Sequence, residues 1–592
     1  MEGNRKIARS DLLIGVVFLV FAGFVWRLAD LQIAHHDEYM SKANAMQVRS
    51  RILPAARGEI YALDADGSPA PLVLNEPVYE IAADPHLFYD GEKLDIDKHD
   101  ALAEILRAAL GDRVRAEGLE NFDEESRYTL LAKQVSRTEA QSIQAAIKDR
   151  NIPAVSFTPS NRRVYIEGPL AAQTLGFVNM DGEGQYGIEQ YLDDDLKGRD
   201  GLLQSVRDAR DTPLPIGIHE IDIPAKDGDN IVLTIDRNIQ SQVEDALKRG
   251  LDNVGATTGS IIVMNPQSGE VMAMANYPSY DPANFGKVEN AEVFQNKIVS
   301  YAYEPGSVTK ALTMGAGLDS GAITPSSTYL NSDCIDVDDA KICNVEKGLN
   351  RTLNMTDVLT YSLNTGVNYV LNQMGGGENN LQGRQVLYNY FTDHYRFGQP
   401  TGIEQMGESA GFLNPPDTPH GARVVYANMA FGQGLNITML QFASAFCAAV
   451  NGGNYWKPAL VAGTYDGGEF SRKNPYLAAE GVLKPESSQD LRNMLIDARL
   501  SFSRGVYDGG FRVGGKSGTA QIYDANTMTY SESDYVGTYV GFGVDKDNSP
   551  KYVIMVRVDD SHAGGFAGSV AAMPIFNEIS TYMLSYLGVS KP

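Results

Sequence analysis

The sequence predicts an α+β protein carried on a single N-terminal membrane helix. Three observations lead there. Strand patterns near residues 230–275 recur at 535–558 with helical patterns between them, a charge-free apolar run opens the chain, and 592 residues exceed one core. At roughly 100–200 residues per domain, about three to five units are expected. Hydrophobic residues make up 43% and charged ones 21%, which excludes a wholly disordered or collagen-like chain. Seventy-five acids against fifty bases give a formal net charge of −25. Such a surface repels phosphate backbones, so no nucleic-acid partner is expected.

The apolar run, Leu12 to Trp26, reads LLIGVVFLVFAGFVW. It is shorter than the ~20 residues a spanning helix needs. Leu28, Ala29, Leu31 and Ile33 extend it beyond Arg27, whose long side chain can reach the interface. Arg5, Lys6 and Arg9 precede it, so the positive-inside rule keeps residues 1–10 cytoplasmic and sends everything after residue 34 outside. A cleaved signal peptide is the alternative. The run is long for that, and no small-x-small site follows it. An uncleaved anchor over residues 11–33 is the expectation, and no second run of such length occurs.

Residues 34–225 mix short strands and helices with no obvious catalytic spacing, and 226–592 is expected to be the main domain. Within the first, Asp100 to Leu110 has helical apolar spacing ended by Gly111, and Arg137 to Ile147 forms another short helix. In the second, Asn230 to Asp236 is a strand leading into a helix near Asn238. Ser260 to Ala275 is a hairpin turning at Asn265 to Gly269. Val308–Leu318 and Leu440–Val450 are helical, Tyr535–Gly543 and Lys551–Val558 are strands, and a helix runs from about Pro574 to Leu587. The sheet is therefore assembled from distant segments. There are only three cysteines, which rules out a disulfide framework or a multi-Cys zinc protein. Cys334 and Cys343 flank a polar hairpin tip and are either bonded or two free thiols; Cys447 lies in an apolar helix.

The chemistry concentrates at Glu304-Pro-Gly-Ser-Val-Thr-Lys310. Pro305 and Gly306 turn the chain, and Ser307 then opens a helix, where the dipole favours developing negative charge. Lys310 lies one helical turn on, so its amine can reach the Ser307 hydroxyl and serve as its base. Alone, Ser-x-x-Lys is weak, and Ser307 could be a simple helix cap. Ser362-Leu363-Asn364 adds Ser-x-Asn, and Lys516-Ser517-Gly518-Thr519 opens a strand pattern. In this order the three form the trio of β-lactamases and penicillin-binding proteins.

Here the chain resembles the penicillin-binding proteins. Beyond the trio, Arg57-Gly-Glu-Ile-Tyr and Tyr186-Gly-Ile-Glu-Gln-Tyr-Leu resemble the family's pedestal segments. Asn265-Pro-Gln-Ser-Gly, Tyr277-Pro-Ser-Tyr-Asp-Pro-Ala-Asn-Phe and Phe431-Gly-Gln-Gly resemble its catalytic part. The likeness is to class B: anchor, dimerisation-type pedestal, and penicillin-binding transpeptidase domain with an antiparallel sheet flanked by helices. Val78-Tyr-Glu-Ile-Ala-Ala-Asp-Pro and Tyr128-Thr-Leu-Leu-Ala-Lys resemble the septal type. Ala62-Leu-Asp-Ala-Asp-Gly departs from the family pattern, as do Thr309, in place of a larger residue, and Leu363, in place of a smaller one.

The resemblance implies a D,D-transpeptidase. Ser307 is then the nucleophile and Lys310 its base, Ser362 relays the proton, and Asn364 holds the donor amide. Lys516 adds positive potential, Ser517 and Thr519 hold the substrate carboxylate beside Gly518, and the N–H groups of Ser307 and Thr519 form the oxyanion hole. Peptidoglycan stem peptides and β-lactams are the implied ligands, and a polytopic glycan polymerase and other division proteins the implied partners. No cofactor or metal is expected, since the eight histidines make no ligand spacing. The same trio would also serve a D,D-carboxypeptidase or β-lactamase, or a β-lactam sensor or division scaffold.

Overall fold

A computed structural model describes residues 9–36, 39, 48–91, 93–152, 154–206, 221–418, 422–502, 508–524, 529–561 and 567–591. Arg5 and Lys6, on which the expected orientation rests, lie outside the described residues. Contacts divide the chain into two compact units, residues 1–56 with 198–228, and residues 57–197 with 229–592.

The first unit holds helix α1 (Arg9–Ala29), continued by a wider turn Asp30–Ala34. Together Leu12–Ala34 makes a stretch of 23 residues long and apolar enough to cross a membrane. Arg27, the charge that interrupts the apolar run, pairs with Asp30 at 2.7 Å. The unit also contains an antiparallel sheet in the order Val48–Leu53, Gly201–Val206, Ile221–Ile223.

In the second unit, a seven-stranded sheet joins Ile60–Leu63, Pro69–Ala83, Thr129–Ser136 and Val155–Tyr165 to Ile231–Asp236, Val461–Asp466 and Glu469–Arg472. Helices Ile96–Leu110 and Arg137–Asp149 cover part of it. The first is capped by Asp95 and stopped by Gly111 at φ 56°; the second starts with a Ser136–Glu139 capping box. Their apolar residues, Leu102, Leu106 and Ile143 among them, pack with Ile81 and Leu131 of the sheet. The two pedestal segments meet in a buried ion cluster. Arg57 Nε donates to Glu189 Oε2 at 2.8 Å, its Nη1 to Asp193 at 2.7 Å, and Arg163 Nε to Glu189 Oε1 at 2.8 Å. The departure at Ala62–Gly67 keeps a partner, since Asp64 accepts a hydrogen bond from Asn238 at 2.8 Å.

The remaining elements follow in chain order. Helix α2 (Arg237–Val254) starts one residue before the expected position, because Asp236 caps the N–H groups of Asn238 and Ile239. Strands β1 (Thr258–Met264) and β2 (Val271–Tyr277) form the expected hairpin. Helix α3 (Thr309–Asp319) precedes the hairpin of β3 (Cys334–Val337) and β4 (Ala340–Cys343), closed by a Cys334–Cys343 disulfide. Of the two open possibilities for these cysteines, the bonded one holds. Helices α4 (Asn364–Met374), α5 (Met439–Val450) and α6 (Pro485–Phe502) follow, with Cys447 buried in α5. Strands β5 (Arg512–Asp524), β6 (Thr529–Val544) and β7 (Pro550–Ser561) then lead to helix α7 (Met573–Tyr586).

β1, β2 and β5–β7 form one antiparallel sheet in the order β2-β1-β7-β6-β5. Ile261, Val263, Ile554 and Val556 point to one face, under α2 and α7. Ile262, Met264, Val553 and Met555 point to the other, in the core shared with α3, α5 and α6. Burial on both faces is why these strands read as continuous apolar runs and not as alternating ones.

Candidate active site

Ser307 lies in a 3-10 turn, Gly306–Val308, that runs straight into α3. Gly306 sits at φ 66°, and a Cβ there would come within 3.0 Å of the Thr519 carbonyl oxygen. A residue with a side chain would be strained and would push the turn off β5. Behind the turn, Gly306 N–H donates to Gly432 O at 3.0 Å, and a Cβ on Gly432 would lie 2.0 Å from Gly306 O. Glycines thus let two other segments, at Thr519 and at Gly432, pack closely on the serine turn.

Lys310 and Lys516 are both almost wholly buried. Lys310 Nζ donates to Ser307 Oγ at 2.8 Å, to Ser362 O at 2.7 Å and to Ser362 Oγ at 3.0 Å. From 154 residues further along the chain than Ser362, Lys516 Nζ reaches the same Ser362 Oγ at 2.9 Å and Ser517 O at 2.8 Å. Among the described residues no carboxylate lies within ion-pair distance of either amine. Burial, and then the neighbouring Lys516 charge, hold the Lys310 amine well below the usual lysine range. Burial pushes Lys516 down to about 7. Once it loses a proton, the Lys310 amine keeps two N–H donors for Ser362 and turns its lone pair to the Ser307 hydroxyl at 2.8 Å, whose proton it can then accept.

Ser362 holds φ 55°, a left-handed conformation costing about 1–3 kcal/mol for a residue with a side chain. The bend is anchored by Leu363, fully buried, whose N–H donates to Val358 O at 3.0 Å. Asn364 opens α4, and its Nδ2 donates to the carbonyl of Cys343 at 2.8 Å. The disulfide hairpin therefore supports the Ser-x-Asn segment. Next to it Asn344 donates to Asn331, Ser332 and Thr365.

Lys516 sits inside β5, which begins at Arg512, and not at the strand start as the sequence pattern suggested. β5 is the sheet edge facing the serine turn, where a Cβ on Gly518 would lie 3.0 Å from Pro305 O and Val308 N. The Thr519 hydroxyl oxygen accepts the Gly568 N–H at 3.1 Å, leaving its hydrogen free to donate. Ser307, Ser362, Asn364, Ser517, Gly518 and Thr519 all line one cavity of about 420 Å³, with Lys310 and Lys516 bonded beneath it. Every site residue expected from the sequence is brought together here.

The cavity also has walls that the site reading left out. Phe431 and Gln433 flank Gly432, and Tyr361 flanks Ser362. The Phe431-Gly-Gln-Gly segment carried a signal in its paired glycines. Val345 and Glu346 carried none, because they reach the cavity only through the fold of the disulfide hairpin. Among the described residues no group of three His, Cys, Asp or Glu gathers as metal ligands would.

Two family models match the chain, the penicillin binding protein transpeptidase domain over residues 259–581 and the penicillin-binding protein dimerisation domain over 52–233. Stage V sporulation protein D of Bacillus subtilis is 29% identical, over 99% of this chain and 86% of the relative. The peptidoglycan D,D-transpeptidase FtsI of Escherichia coli K12 is 27% identical, over 98% and 92%. A solved peptidoglycan synthetase from Bifidobacterium adolescentis shares the fold, with a TM-score of 0.70 at 24% identity over 92% of this chain and 98% of that one.

Proposed function

The chain belongs to the penicillin-binding protein transpeptidases, and from that premise we propose that it cross-links peptidoglycan stem peptides through an acyl-enzyme on Ser307. One observation carries the reading, the 2.8 Å contact between Ser307 Oγ and a lysine amine whose charge burial disfavours.

In this mechanism Ser307 Oγ attacks the carbonyl between the two terminal D-alanines as its proton passes to the Lys310 lone pair. Ser362, within reach of both amines, relays that proton to the departing D-alanine nitrogen. Lys516, Ser517 and Thr519 hold the donor's terminal carboxylate. Binding that anion raises the Lys516 pKa and keeps the amine charged. Asn364 steadies the donor amide through its free carbonyl oxygen, since its Nδ2 is engaged by Cys343. The Ser307 and Thr519 N–H groups receive the oxyanion. A second stem peptide's amine then attacks the ester and releases Ser307. The same cavity accepts β-lactams, which acylate the serine and block it.

The division into residues 1–10, 11–33, a pedestal over 34–225 and a transpeptidase domain over 226–592 belongs to this proposal. So does the orientation, with the catalytic domain on the extracytoplasmic side of the membrane. The septal role is supported by the Val78 and Tyr128 segments and by the nearly full-length match to FtsI. It makes a polytopic glycan polymerase of the division machinery the expected partner, met through α1 and the pedestal.

Intact mass spectrometry after exposure to a labelled penicillin, followed by a stem-peptide donor with an added amine acceptor, tests the proposal. One adduct on Ser307 and an amide-linked dimer are expected. An adduct elsewhere would overturn the nucleophile, and hydrolysed donor alone would make the chain a carboxypeptidase.

A further inference from the structure

Glu346 lines the same cavity as Ser307 and is the one acidic residue among its described lining residues. Its carboxylate is exposed and has no hydrogen bond or ion pair among the described residues; the adjacent Lys347 turns away to Cys334 Sγ at 3.8 Å. The residue is nonetheless not on a loose loop. Two positions earlier Asn344 is buried and bonded to Asn331, Ser332 and Thr365, and Cys343 is tied by the disulfide and by Asn364. Beside it Val345 presents an apolar side chain that is 67% exposed.

The cavity is therefore electrically two-sided. Lys516 lies beneath the wall formed by Ser517 and Thr519, while an unpaired carboxylate and an apolar side chain stand at Glu346 and Val345. The donor's terminal carboxylate is attracted to the first side and repelled from the second. The second co-substrate has the opposite chemistry. It brings a primary amine, which is an ammonium in solution at neutral pH.

Resting on the transpeptidase reading, we infer that Val345 and Glu346 select the acceptor, a cationic primary amine on an aliphatic stem with no free carboxylate beside it. Val345 contacts the methylenes and Glu346 raises the local concentration of the ammonium. A carboxylate next to the amine meets Glu346 unfavourably and is rejected. Glu346 is not the base. The ammonium first sheds one proton to solvent. The neutral nitrogen then attacks the ester carbonyl carbon, the C–N bond forms, and the C–Oγ bond breaks. The second amine proton passes through Lys310 to Ser307 Oγ.

The test uses the full-length protein in detergent, a stem-peptide thioester donor, and three acceptors. These are a lysine tetrapeptide, a diaminopimelate tetrapeptide with its free side-chain carboxylate, and the same peptide with that carboxylate amidated. The readout is the ratio of aminolysis to hydrolysis of one acyl-enzyme, which does not depend on how fast acylation occurs. The wild type is expected to favour the lysine and amidated acceptors, with a preference that fades as salt rises. Glu346→Gln should raise the acceptor KM about fivefold at low salt and flatten the salt dependence, as expected for a lost steering charge. Glu346→Lys should reverse the preference toward the free carboxylate. A normal acyl-enzyme whose partition and salt slope ignore both substitutions would overturn this inference alone. Failure to acylate Ser307 in the wild type would overturn the transpeptidase reading and this inference with it.

Discussion

Two of the places where this protein buries cations do so in opposite ways. In the pedestal, Arg57 and Arg163 close on Glu189, with Asp193 completing the cluster. Burial works against the Arg57 charge, yet Glu189 and Asp193 raise its pKa above the usual value. In the cleft, Lys310 and Lys516 share a serine hydroxyl and meet no carboxylate among the described residues, and burial drives both pKa values down. A paired buried cation keeps its charge and serves the fold. An unpaired one loses its proton readily and becomes a base. Guanidinium suits the first task because it cannot deprotonate, and amine suits the second because it can.

The largest test of this contrast exchanges the two losses. Lys310→Met should slow acylation by labelled penicillin about a thousandfold or more while leaving the denaturation midpoint at or above wild type. Glu189→Ala leaves Arg163 with no carboxylate and Arg57 with Asp193 alone, and should cost about 3–5 kcal/mol in chemical denaturation, with the folded fraction still acylated at the wild-type rate. Substitutions that moved the same quantity in both regions would break the comparison.

A smaller effect appears with pH. Acylation by free enzyme should rise as Lys310 loses its proton and fall as Lys516 loses its own near about 7. Lys516→Arg should move the falling limb beyond the accessible range, which a pH–rate profile of second-order acylation would record. Stability follows the same groups. Their folded pKa values lie below the unfolded one, so between about 7 and ~10.4 the unfolded chain binds more protons and stability rises with pH. Each amine contributes at most about 1.4 kcal/mol per pH unit there. Lys516→Met should flatten part of that slope in denaturation curves taken across the window.

The smallest expected change lies at the edge of the cleft. Replacing Cys334 and Cys343 together by serine removes a short cross-link and should lower stability by about 2–3 kcal/mol. Because Asn364 leans on the Cys343 carbonyl, acylation should slow by a few-fold, and stopped-flow labelling would read it.

Much of this was legible in the sequence. Ser307, Lys310, Ser362, Asn364 and Lys516 were readable because their spacing and order are tied to a chemistry, and the doubly buried strands because apolar runs bounded by turns have few other readings. Four features were not. The start of β5 at Arg512 was hidden because Gly514 and Gly515 carry no side chains to show a strand pattern. Whether Cys334 and Cys343 were bonded depended on the hairpin register that sets them opposite each other. Glu346 reads as an ordinary surface charge until the fold turns it into the cavity. The Arg57–Glu189 cluster was visible as two segments, but nothing local says that they meet.

The central strand of the catalytic sheet is the last one in the chain. β7 lies between β1 and β6, so the hairpin near residue 260 and the lysine-bearing edge are joined only through residues 550–561. Until that keystone is inserted, β5 and β6 have no sheet to belong to, and Lys516 has no fixed address. A chain interrupted between residues 362 and 550 carries Ser307, Lys310 and Ser362 but lacks the strand that joins the lysine-bearing edge to the hairpin near residue 260. Pairing partners so far apart also folds slowly. Acylation by a covalent inhibitor is therefore expected to require the completed sheet, Lys516 included.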